Sequence, residues 1–136
     1  QMIPTLFVVA DQSEAHLYKV GGTKVKPTLE AIDALEHPEA RTHLDPTESN
    51  AHLHLDTSRS QAEEERRFVR ELVGRLRKGQ SAGEFRKLYI AAPANFVGQL
   101  RKHYGSLSRL VEREIIGDYT RQDPRTLTKR FAKWSN

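Results

Sequence analysis

The chain has 136 residues, 37% of them apolar and 29% charged, and no cysteine. This fits one folded domain with a sizeable core, and it excludes a disordered chain, disulfides, thiolate metal sites and cysteine nucleophiles. The net charge of +4 conceals an asymmetry: residues 1–65 carry 5 Lys/Arg against 12 Asp/Glu, and residues 66–136 carry 17 against 6.

TLFVVA (residues 5–10) is an apolar, β-branched and aromatic run, which predicts a buried central strand. DQSE reads as a turn started by Asp11, and AHLYKV (15–20) alternates as an antiparallel partner. Gly21-Gly22 predicts a two-residue hairpin turn into a third strand over residues 24–35, placed at an edge by Pro27. Residues 37–58 form a polar, His-rich stretch expected to be a long loop.

A helix is expected over residues 59–78, with Phe68, Val69, Leu72, Val73 and Leu76 on its apolar face. Ser60 and Glu63 have capping-box spacing, and Gly79 reads as the left-handed residue that stops the helix. KLYIAA (87–92) predicts another buried strand. PANFVGQLRKHY predicts a helix opening at Pro93, with Phe96, Val97 and Leu100 inward. SRLVEREIIGDY contains a fifth strand. The closing helix takes Asp123 as N-cap and Pro124 as its first residue, and turns Leu127, Phe131 and Trp134 inward. The order βββαβαβα predicts a single α/β domain over residues 1–136, a mixed five-stranded sheet covered by helices.

ERRFVRELVGRLRKG, KLYIAAPANFVGQLRKHY and EREIIGDYTRQDPRTLTKRF, together with the opening VVADQSEAHLYKV, resemble the bacterial host attachment proteins from Thr5 to Trp134. That family is similar to the middle domain of archaeal and eukaryotic class 1 peptide-release factors. The resemblance implies a ribonuclease H-like fold and a connection to translation. In the release factors a Gly-Gly-Gln loop before a long helix places water at the ester of peptidyl-tRNA. The equivalent stretch here, residues 43–58, reads HLDPTESNAHLHLDTS and has neither glycine nor glutamine. GQSAG lies at the other end of the helix and lacks the glycine pair needed for close backbone approach. Gly79-Gln80 therefore reads as a helix stop.

Other chemistries fare no better. A two-metal nuclease needs converging carboxylates, but TLFVVA and KLYIAAPAN contain none, and Asp11 comes only after the first. His52 and His54 would share a face if their segment were extended, with His43, Asp45 and Asp56 near in sequence. Their spacing fits no zinc motif, so no metal site is assigned. No G-x-S-x-G elbow or phosphate-binding glycine loop appears, so no serine nucleophile, nucleotide cofactor or other cofactor is expected. A hydrolase site within residues 43–56 stands as a third reading.

The cationic surface carries the leading reading. Arg66, Arg70 and Arg77 form a stripe on the long helix, with Arg67 and Lys78 beside it. Arg101 and Lys102 follow on the middle helix, and Arg125, Lys129 and Lys133 on the last. Arginine forks suit phosphate recognition, and phosphate neutralisation releases counterions. The structural alternative is a solvated surface, with Glu63–Arg67 and Glu71–Arg75 as i,i+4 pairs. The expectation is a non-catalytic, cytoplasmic module that contacts the ribosome or structured RNA. The alternative is a homodimer or protein-interaction factor acting indirectly in attachment. No run approaches the roughly 20 apolar residues of a membrane helix, and the start lacks signal-peptide features.

Overall fold

Strand β1 (Thr5–Ala10) is buried along its whole length, as its unbroken apolar run requires of a strand covered on both faces. It pairs antiparallel with β2 (Glu14–Gly22), which pairs antiparallel with β3 (Pro27–Glu36). On its other side β1 pairs parallel with β4 (Lys87–Ala92), and β4 parallel with β5 (Val111–Ile116). The sheet order is β3-β2-β1-β4-β5, the mixed five-stranded arrangement expected from the sequence. The computed structural model describes residues 3–36 and 51–136, excepting the side chains of 51–59.

Three helices cover the sheet: α1 (Ala51–Ser81), α2 (Ala94–His103) and α3 (Pro124–Trp134). A 3-10 turn, Gly105–Arg109, leads from α2 into β5. Strand periodicity divides the core into two. Leu6, Val8, Leu17, Leu88 and Ile90 face Phe68, Leu72 and Leu76 of α1 and Phe96, Val97 and Leu100 of α2. Phe7, Val9, Tyr89 and Ala91 face Leu127 and Phe131 of α3. Each fully buried Leu or Phe contributes about 1.5–3 kcal/mol by leaving water. The inward residues expected on all three helices are buried, except that Trp134 is half-buried.

Local expectations moved where tertiary or turn chemistry prevailed. The helix begins at Ala51, eight residues before residue 59, because nothing from 51 to 73 is Gly or Pro. The Ser60–Glu63 pair is therefore helix interior, and the helical backbone removes the extended-strand reason for pairing His52 with His54. Residues 37–50 of the expected loop, including His43 and Asp45, lie outside the described residues.

Gly79 is inside α1 rather than past its end. Gly83 takes the left-handed conformation, φ 73°. The amide of Glu84 donates to the Gly79 carbonyl at 2.8 Å and that of Gly83 to Gln80 at 3.1 Å, the paired bonds of a Schellman stop. Gly79 is needed for space: a Cβ there would lie 3.0 Å from the Phe85 ring.

The β2–β3 turn is also displaced. Gly21 and Gly22 end β2, and residues 23–26 make the turn, closed by Thr23 N–H to the Lys26 carbonyl at 3.1 Å. Pro93 is the N-cap of α2 rather than its first helical residue. Asp11 and Asp123 act as expected. Asp11 Oδ1 accepts from the amides of Ser13 (2.8 Å) and Glu14 (2.9 Å). Asp123 accepts from the Thr126 amide at 2.8 Å, which lowers its pKa.

Both sheet edges are irregular. The β2–β3 register shifts between Leu17 and Tyr18, leaving Ile32 as the extra residue of β3. The β4–β5 register shifts between Leu88 and Tyr89, with Glu112 extra on β5. Such bulges twist an edge away from further pairing.

Candidate nucleic-acid interface

Arg70, Val73, Gly74 and Arg77 follow the i, i+3, i+4, i+7 spacing of one helical face. They form one wall of a groove of about 390 Å³, whose other wall is Lys102 and His103 at the end of α2 and Gly105 after it. Val73 is buried, while Arg70, Arg77 and Lys102 are exposed. The space around Gly74 is open, since a Cβ there would meet nothing within 4 Å. A glycine inside a helix costs about 0.5–1 kcal/mol relative to alanine, so local stability gives no reason for it.

Arg77 has a second engagement. Its Nη2 donates to the His103 carbonyl at 2.8 Å, satisfying a C-terminal carbonyl of α2 with a positive charge at the negative end of the helix dipole. Gly105, at φ 55°, makes room for that guanidinium. Arg70 and Lys102 have no carboxylate partner among the described residues.

The remaining sequence candidates fall into distinct settings. Arg66 and Lys78 are exposed on α1. Arg67 pairs with Glu64 at 3.3 Å, an i,i+3 contact instead of the expected pair with Glu63. Arg75 was expected to pair with Glu71. It reaches Asp33 of β3 at 2.6 Å and Glu84 at 3.1 Å instead, so it ties α1 to the sheet edge. Its hydrogen bond holds the Asp33 carboxyl below its usual pKa.

Arg101 is committed to Glu114 of β5, with Nε at 2.9 Å from Oε1. Glu114 Oε2 also accepts from the Tyr104 hydroxyl at 2.8 Å. The Arg101 bond, opposed by burial and aided by Tyr104, lowers the Glu114 pKa. Burial, then the bond to Glu114, raises that of Tyr104 well above the usual phenol range.

Arg125, Lys129 and Lys133 are exposed on α3. Because α3 packs on the opposite face of the sheet from α1 and α2, the expected cationic set is two surfaces. A hollow of about 300 Å³ on α3 is lined by Lys129, Arg130, Lys133, Thr126 and Trp134. Arg130 lies over the Tyr119 ring, 5.5 Å from its centroid. His103 and Arg130 were not among the sequence candidates. Arg130 sits beside Lys129 in a visible basic run, whereas nothing local marks His103 as a neighbour of Arg70.

Gly79 and Gln80 sit in the last turns of α1, where the Gln80 side chain accepts from Ser106 Oγ at 3.2 Å. Asp11 Oδ2 accepts from Thr120 Oγ1 at 3.2 Å, so it fastens the β5–α3 connection to the end of β1. Among the described residues no cluster of three or more His, Asp or Glu could hold a metal, and no helix is long and apolar enough to cross a membrane.

The fold is similar to the crystal structure of an archaeal translation termination factor, aRF1, with a TM-score of 0.57 and 11% sequence identity. The likeness covers 96% of this chain but 34% of that one, so the chain spans about a third of the factor's length. No curated protein matches the sequence significantly. A family model described as "Protein required for attachment to host cells" matches residues 6–131. With nearly the whole chain matched, the protein belongs to this host attachment family.

Proposed function

We propose that this protein is a non-catalytic binding module that contacts structured RNA, with the ribosome as the leading partner, through the groove between α1 and α2. The observation that carries this reading is the groove itself. Arg70, Arg77 and Lys102 line an open channel, one wall of which includes a bare helical glycine. Phosphate backbone fits such a channel because guanidinium forks and an ammonium can follow it without reading bases. Arg66 and Lys78 extend the same helix surface. Arg101 contributes less, being committed to Glu114. The resemblance to a termination factor's fold supports the choice of ribosomal over unrelated RNA.

The competing reading is a homodimer or protein-interaction factor with an indirect role in attachment. Sheet-edge pairing is its simplest route. The bulge at Ile32 and the acidic Glu30, Asp33 and Glu36 blunt that edge, which favours RNA.

The test is co-sedimentation with ribosomes at about 50 and 200 mM salt. With a slope of about 0.7–0.9 per neutralised phosphate, three groove contacts predict a loss of roughly twenty- to fortyfold between those concentrations. Arg70→Gln with Lys102→Gln should remove most low-salt binding, leaving Arg77 to hold α2. Gly74→Leu should block the groove without removing charge. Absence of pelleting at low salt, with a salt-insensitive dimer, would sink the RNA reading.

A further inference from the structure

A cavity of about 460 Å³ is on the opposite face of the sheet from the basic groove, at the N-terminal end of β1. Val20, Thr5 and Lys87 are in register across β2, β1 and β4, and Phe131 and Ser135, from the end of α3, line the cavity from above. The turn after β2 supplies Lys24 at the rim.

Three features mark this cavity as more than a packing defect. Its volume is within the range of small-molecule sites, about 300–1,000 Å³. Tyr89 lines it, is 7% exposed, and its hydroxyl has no hydrogen-bond partner among the described residues. Lys24 and Lys87 have no carboxylate within 4 Å among the described residues, so two uncompensated positive charges flank an apolar floor of Val20 and Phe131.

We infer that this cavity is a binding site for a small organic anion with a flat, apolar body and a carboxylate or phosphate head. The body lies against Val20 and Phe131, Lys24 and Lys87 hold the head, and Tyr89 hydrogen-bonds to the ligand. Desolvation raises the Tyr89 pKa, with Glu112 adding to it and Arg113 opposing it, so the phenol remains a donor at neutral pH. This site is independent of the RNA reading, which concerns the other face.

The probes are indole-3-acetate and its uncharged analogue indole-3-acetamide, titrated into the full chain and followed by amide chemical shifts. The acetate should perturb Thr5, Val20, Lys24 and Lys87 and bind about tenfold more tightly than the amide. Lys24→Gln with Lys87→Gln, both at the rim, should abolish that preference. Tyr89→Phe should weaken the acetate severalfold while leaving the spectrum folded. Equal affinity for the two probes, shifts centred on the α1–α2 groove, or no shifts at millimolar probe would each overturn the inference.

Discussion

Three glycines of this chain have opposite reasons for being glycine, and the difference is measurable. Gly74 is helical with empty space around its missing Cβ, so Gly74→Ala should stabilise the protein by about 0.5–1 kcal/mol. Gly83 also has free space but sits at φ 73°. Gly83→Ala should destabilise by about 1–2 kcal/mol through backbone strain alone. Gly22 combines φ 72° with a carbonyl in the way, that of Lys26, and should be the least tolerant. Thermal unfolding of the three alanine variants checks the order, about 4 °C per kcal/mol for a domain of this size. If Gly74→Ala raises stability but weakens ribosome binding, the glycine is kept for the groove.

At the scale of elements, the helices are fastened by different means. On one face α3 is anchored by Phe131, whose ring centroid lies 4.8 Å from that of Phe7 and 5.1 Å from that of Tyr89. Phe131→Ala should cost about 3–5 kcal/mol in urea unfolding. On the other face, Glu114 joins β5 to α2 through Arg101 and to the neighbouring Tyr104. Its folded pKa is depressed, so it binds protons less readily when folded than when unfolded. The stability it adds is present above the ordinary carboxylate range, near pH 4, and is lost as pH falls through the lower folded value. Asp33, held by Arg75, follows the same sign. Urea midpoints measured from pH 6 to 2 should therefore fall on the acid side. Glu114→Gln should lower the neutral plateau and flatten that fall. An unchanged acid limb would show that the Arg101 bond contributes nothing to stability.

For the whole molecule, the sheet separates two cationic surfaces that the sequence presents as one basic half. If RNA uses the groove, Arg70→Gln should reduce the slope of log affinity against log salt by about 0.7–0.9. Lys129→Gln with Lys133→Gln, on the far side, should leave that slope unchanged. Salt titrations of ribosome binding decide it. Equal losses from both faces would require a partner that wraps the domain.

Much of this architecture is written locally. TLFVVA and KLYIAA are buried strands because unbroken apolar runs must be covered on both faces. The 3.6-residue spacing of Phe68, Leu72 and Leu76 allowed one face of α1 to be read directly. Asp123 with Pro124 marked the start of α3. Stops and turns were less legible: Gly79 and Gly83 are both plausible ends, and only the hydrogen bonds to the Gly79 and Gln80 carbonyls choose between them. Charge was least legible of all. Sequence lists Arg70, Arg77, Arg101 and Lys102 as equals, because a side chain's partner depends on which helix and strand pack beside it. Only tertiary structure commits Arg101 to Glu114, leaves Arg70 and Lys102 open along a groove, and places α3 on the opposite face. The sequence by itself determined the order of the elements and most of their buried faces, since those follow from local periodicity. Which charges remain available to a partner was decided by packing, since that depends on contacts between residues distant in the chain.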